Sequence, residues 1–195
     1  MSRRPIEGID EKILLATIKV AGSTMEANRF STKEIAAEAG CSEFVIYSHF
    51  LSKENLIAKT NAYVLRKYIE YAEKAVASSH NVLETFLYLL NEAVNMPRVT
   101  DFIVNYSHIF PRAKLLADYD GYKANMNVLC GVFAKAYPFG NENSELIRFL
   151  LMTHFMREMA VDAKLIIHHE IKDTPEIRML MAKNAIFGLS EYAGK

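Results

Sequence analysis

The chain has no tryptophan, two cysteines, five prolines, eight glycines and no net charge over its 195 residues. Each shortage excludes something. Cys41 and Cys130 lie far apart and in no C-x-x-C pair, so a disulfide framework and a structural zinc are not expected, and a reducing cytoplasm is. Scarce glycine and proline argue against a loop-rich all-β fold. Lys plus Arg and Asp plus Glu number 23 each, so the molecule has no overall basic coat, although a local basic face is allowed. Apolar runs are short. The stretch 146–156 is broken by Arg148 and His154 and closed by Arg157, and nothing reaches the ~20 apolar residues of a membrane span. Met-Ser-Arg-Arg-Pro leads into mixed polar and apolar residues, so no signal peptide is expected.

What is present is helical spacing. Ile9, Ile13, Leu14, Ala16, Ile18 and Ala21 recur at three- and four-residue steps and predict a helix over 10–25, with Gly22 inside it. Ser31-Thr-Lys-Glu34 reads as a capping box opening a short helix that Gly40 stops. Ser42 is expected to cap a second short helix ending near Phe50, and Ser52 a long one over 53–76. Further helices are predicted over 82–95, 99–110, 121–136, 144–169 and 175–192, with Thr174 as a cap and Pro175 at the first helical position. Strand alternation is nowhere sustained, so the fold class is all-α.

The stretch 30–56 is the most informative. Its first helix buries Ile35, Ala36 and Ala39, and Gly40 supplies the positive φ of a tight turn. The second helix offers Val45 or Ile46 and Phe50 to the core and leaves Glu43, Phe44, Tyr47 and Ser48 near the outside. Two helices joined by a short glycine-containing turn form a helix-turn-helix, whose second helix fits the roughly 12 Å major groove.

Ser31, Ile35-Ala36, Ala39-Gly40, Tyr47-Ser-His-Phe50 and Ser52-Lys-Glu-Asn-Leu56 together resemble the DNA-binding signature of the TetR (tetracycline-repressor) family. The resemblance covers about the first quarter of the chain. It implies a three-helix DNA-binding domain over 1–55 and a helical effector-binding and dimerisation domain over 56–195. It also implies site roles, each with a physical warrant. Ser31 and Thr32 at a helix start, Tyr47 through its hydroxyl and Lys53 past its cap take DNA phosphates, with Lys33 and Arg29 adding charge. Ser42, Glu43, Phe44 and Ser48 approach base edges, while His49 orients the packing. The pattern departs from the family at Phe44 and Val45, where small residues are usual, and at Glu26-Ala-Asn28, where a glycine is usual. The Phe44 ring either meets a thymine methyl or crowds the groove; Glu43 repels phosphates unless it accepts from a cytosine amine. Residues 1–60 hold eight basic and eight acidic side chains, so non-specific DNA affinity is expected to be weak, with the Arg3-Arg4 arm supplementing it.

Beyond residue 78 the resemblance implies an effector cavity. Phe86, Met96, Phe102, Tyr106, Phe110, Met126, Leu129, Phe133, Met152 and Phe155 are the candidate lining, though such residues at helical spacing also make plain core. Tyr106, His108, Asn125 and His154 are its candidate polar handles, and a mostly apolar ligand is expected. The last two helices are apolar on more than one side and are the candidate homodimer interface. His168-His-Glu170 does not suit a metal, because neighbouring helical residues diverge by about 100°. No metalloprotease, nucleophile-elbow or P-loop motif is present. Cys41 is either an oxidant sensor or an apolar filler. Neither enzyme activity nor a cofactor is expected. The expected function is that of a cytoplasmic, ligand-responsive transcriptional regulator. As a homodimer it represses from a palindromic double-stranded DNA operator until a small apolar effector releases it, with no role at a membrane. The alternative is a small-molecule-binding or scaffolding helical protein whose helix-turn-helix no longer reads DNA, as neutral charge and Phe44 suggest.

Overall fold

The structure is a computed structural model. It describes residues 8–23, 29–106, 119–136 and 145–193, and the side chains of all of these but 119–123, 126, 134–136, 145–153 and 187–193. The described residues form helices without a strand: α1 (Ile9–Ala21), α2 (Thr32–Ala39), α3 (Glu43–Phe50), α4 (Lys53–Ser78), α5 (Val82–Asn95), α6 (Pro97–Tyr106), α7 (Tyr119–Ala136), α8 (Glu145–Ile167) and α9 (Pro175–Ala193). Among these residues no helix is long and apolar enough to cross a membrane.

Local chemistry sets most of the starts. The Ser31 hydroxyl accepts from the Glu34 amide at 3.2 Å while Glu34 accepts from the Ser31 amide at 2.7 Å, so the capping box is complete. Ser52, Asn81 and Thr174 cap α4, α5 and α9 by accepting the third amide of each helix. Ser42 differs: it stands extended at the start of α3, but its hydroxyl makes no cap bond. Pro97 opens α6, where a missing amide hydrogen is harmless. The turn after α2 has Gly40 at φ 68, with the Cys41 amide donating to Ala36 O and the Gly40 amide to Ala37 O.

Helix α1 ends four residues before the predicted limit. It stops at Ala21, and Gly22 lies against the backbone of α6: a Cβ there would fall 2.2 Å from the Arg98 carbonyl oxygen. The Arg98 guanidinium donates back to Gly22 O at 3.4 Å. A neighbouring helix therefore fixes this end.

Two cores follow. In the first, α1, α2, α3 and the start of α4 bury Ile13, Ile35, Ile46 and Leu56 at zero exposure, together with Phe102 and Tyr106 of α6. In the second, α5, α7, α8 and α9 pack on the rest of α4, around Phe86, Phe133 and Phe155. Those rings meet edge-on at 5.3 Å. Helix α4 crosses from one core to the other between Val64 and Leu65.

Helix α6 is also bound to α8 by polar groups. Buried Asp101 meets His168 Nε2 at 2.8 Å, and the Lys164 ammonium donates to Asn105 Oδ1 at 3.1 Å. His168 thus pairs with Asp101, and no cluster of His, Cys, Asp or Glu able to hold a metal occurs among the described residues.

Two predictions concern stability. Gly22→Ala is expected to lower stability by about 1–3 kcal/mol, because the α6 backbone must move. Gly131→Ala, where nothing lies within 4 Å, is expected to hold or raise it; thermal denaturation of both variants checks this. The second concerns Asp162, whose carboxyl is pushed up to about 6 by burial on α8 and by the Glu158 carboxylate. Its folded pKa lies above the unfolded one, so its ionisation removes stability as pH rises from about 4 to 6. Asp162→Asn should therefore melt higher at pH 7–8, by on the order of 1 kcal/mol after solvent screening, and not at pH 4.

Candidate nucleic-acid interface

Helices α2 and α3 meet at a polar clamp. The Thr32 hydroxyl donates to the Glu43 carboxylate at 2.6 Å and lies 3.2 Å from the Tyr47 hydroxyl. A phenol proton passed to Thr32 and a Thr32 proton passed to Glu43 would satisfy all three oxygens in one chain. The clamp joins the first residue of α2 to the first turn of α3. It fixes their crossing where a groove-reading helix needs it fixed. Thr32, expected to meet a phosphate through its hydroxyl or its amide, is buried and gives its hydroxyl to Glu43.

The other candidate residues surround this clamp. Ser31 and Lys33 are exposed at the start of α2, and Ser42 is exposed at the start of α3. Ser48 is exposed too, but its hydroxyl donates to Val45 O at 2.8 Å. Phe44 is 80% exposed and Tyr47 45%, one helical turn apart on the same face. Ile46 is the core residue of the pair weighed for that role, and Val45 is half-buried. His49 pairs with Asp10 of α1 at 2.5 Å, the orienting role expected of it. Lys53 donates to Phe30 O at 2.7 Å with its ammonium 4.0 Å from the Phe30 ring centroid, tying the entry of α2 to α4. The Arg3-Arg4 arm and Glu26-Ala-Asn28 lie outside the described residues.

Electrostatics on this face are local. The bonds from the Ser31 amide and hydroxyl hold the Glu34 carboxyl below the usual range. Lys19 of α1 pairs with Glu38 of α2 at 2.7 Å, so some of the head's charge is spent internally. Burial pushes the Cys41 thiol up, which keeps it protonated and fits the filler role rather than the sensor.

A cavity of about 380 Å³ is lined by Leu15 and Ile18 of α1, one face of α4 from Tyr63 to Lys74, and residues of α5, α6 and α8. Its floor is apolar, with Leu89, Met96, Val99, Ile103 and Met159. Lys67, Glu70, Lys74 and Glu92 also line it. The Tyr63 hydroxyl donates to Glu11 of α1 at 2.9 Å, and burial with that carboxylate holds the phenol above its usual range, as a donor.

Of the ten residues expected to line a cavity, Met96 does. Phe86, Leu129, Phe133 and Phe155 are fully buried in the body core, and Phe102 and Tyr106 in the head core. Phe110 lies outside the described residues, as do the side chains of Met126 and Met152. Of the candidate handles, Asn125 donates to Ala62 O at 3.5 Å and His154 lies 3.8 Å from Glu158; His108 is outside the described residues. Lining residues not expected from the sequence include Leu15, Tyr63 and Tyr71. Leu15 did leave a signal, as an apolar residue on the polar side of α1, half-exposed at 49%.

Residues 27–60 match the sequence profile of the bacterial regulatory proteins of the tetR family. A comparison with curated proteins found no match. The fold is shared with solved structures at low identity. A TetR family transcription regulator from Marinobacter aquaeolei VT8 is 17% identical, with 92% of this chain and 95% of that one covered and a TM-score of 0.63. A TetR-like transcriptional regulator from Rhodococcus sp. RHA1 is 15% identical over 99% and 100%, with a TM-score of 0.56. The transcriptional regulator FadR from Bacillus subtilis, solved in complex with stearoyl-CoA, is 14% identical over 93% and 98%, with a TM-score of 0.51.

The clamp yields one prediction. Thr32→Val leaves the Glu43 carboxylate without its hydroxyl donor and should lower stability by about 1–2 kcal/mol. Thr32→Ser, which keeps the hydroxyl, should melt close to the parent; equal melting of the two variants would show the clamp to be energetically idle.

Proposed function

We propose that this chain, whose residues 27–60 match the tetR-family profile and whose fold is shared with regulators of that family, is a homodimeric, ligand-responsive transcriptional repressor. The observation that carries this reading is the clamp of Thr32, Glu43 and Tyr47, which holds α3 against α2 with Phe44 and Tyr47 turned outward. Residues 1–55 form the reading head and 56–195 the effector-binding and dimerisation body, with α4 running between their cores.

In this reading α3 enters the major groove, and Ser42, Glu43 and Phe44 approach the bases. Ser31, the first amides of α2, Lys33, Tyr47 and Lys53 take phosphates on either side. Two copies join through α8 and α9, where Leu180 is 63% exposed in the single chain. The dimer carries two heads about 34 Å apart or a multiple of it, so the operator is palindromic.

The cavity beneath α1 is the effector site. Its floor suits a mostly apolar molecule, and the acyl ligand of the Bacillus FadR structure supports that class. Because Leu15 and Ile18 belong to α1, a ligand there touches the head directly. A ligand that favours the form with wrongly spaced heads weakens DNA binding by the coupling energy, typically about 1–3 kcal/mol. The protein acts in the cytoplasm, without catalysis of its own and without a cofactor.

The test is selection of bound duplexes from a random pool, followed by fluorescence anisotropy of the enriched sequences at two salt concentrations. The expected result is a palindrome with half-sites about one helical turn apart, or a multiple, bound more weakly at the higher salt. Absence of enrichment at low salt by folded protein would overturn the reading in favour of a small-molecule-binding protein.

A further inference from the structure

We propose that α3 recognises its half-site through the C5-methyl groups of thymine, with Phe44 as the reading side chain. The proposal rests on the reading above, that this head binds duplex DNA, and adds what it reads.

Helix α3 lacks the side chains that most often read bases. Its sequence, Glu43-Phe-Val-Ile-Tyr-Ser-His-Phe50, contains no Arg, Lys, Asn or Gln. Guanine is read mostly by Arg or Lys at O6 and N7, and adenine by Asn or Gln at N6 and N7. Neither pairing is available from this helix. The structure then withdraws other side chains. Ile46 and Phe50 are core, His49 is held by Asp10, and the Ser48 hydroxyl donates to Val45 O.

What remains outward on the first turn is an apolar ring. Phe44 is the most exposed large apolar side chain among the described residues, at 80%. Leaving it in water forgoes burial, and the apolar group a major groove offers is the thymine methyl. Its position is set on both sides. Glu43 before it and Tyr47 one turn after it are both held to Thr32, so the backbone carrying Phe44 is pinned to α2. A ring on a pinned backbone reaches the same depth in the groove each time, which is what discrimination by a single methyl requires. The exposure also means that the head core does not depend on the ring.

The experiment replaces each thymine of the enriched half-site, one at a time, by deoxyuridine, which deletes only the methyl. The full-length protein and Phe44→Ala are titrated against each duplex by anisotropy, and the melting temperature of the variant checks that it is folded. For the parent, at least one replacement should weaken binding about fourfold, the worth of one buried methyl-sized group. Phe44→Ala should bind that thymine duplex and its uracil counterpart equally. An equal uracil penalty in both proteins, or none in the parent, would overturn the thymine assignment while leaving duplex binding in place. No binding to any duplex would overturn the DNA-binding reading and this proposal with it. A change in self-association of Phe44→Ala with no uracil effect would also overturn it, since the ring would then be a protein contact.

Discussion

Phe102 and Tyr106 belong to the body by chain position and to the head by packing. Both are fully buried in the core that α1, α2, α3 and the start of α4 build, and Tyr106 meets Phe30 edge-on at 5.7 Å. A unit as small as the first three helices buries only a small share of its surface by itself. Two large aromatics from α6 complete its core. The Asn61 side chain donates to Tyr106 O at 3.3 Å, and Gly22 admits the backbone of α6 at a distance no larger residue tolerates. The head is therefore stabilised by the element that leads into the rest of the body.

That shared core has a consequence for communication. Helix α6 is held on its other side by α8, through Asp101 with His168 and Asn105 with Lys164. Such pairs are sensitive to geometry, since a buried carboxylate that loses its partner is left in a low dielectric. A rotation of α8 is thus resisted at α6, and α6 is locked into the head. The cavity sits in this same joint, lined by α1, α4, α5, α6 and α8. A molecule filling it contacts α1 of the head and four helices packed around it.

The reading face shows the opposite economy. Residues 1–60 carry no net charge, Lys19 and Glu38 pair internally, and α3 carries an exposed apolar ring and no Lys or Arg. Attraction to the phosphate backbone scales with the cations offered to it. With few offered, binding of DNA as proposed would depend on fit in the groove and on a rigid crossing of α2 and α3. The Thr32 clamp supplies that rigidity without adding charge.

The sequence by itself determined where helices form, the caps of α2, α4, α5 and α9, and the turn at Gly40. These rest on contacts within four residues, and the capping box, the caps at Ser52, Asn81 and Thr174, and the core face of α1 all lie in that range. It also determined the reading unit, because fixed spacings over 31–56 encode one local supersecondary structure. Tertiary structure alone decided where α1 stops, since Gly22 yields to a backbone 76 residues away. It decided that the Thr32 hydroxyl serves Glu43, that Phe102 and Tyr106 serve the head core, and that the cavity forms under Leu15 and Tyr63. An apolar stripe declares that a face is buried but not against what. Partners distant in the chain are chosen by how whole helices pack, and no local pattern carries that information.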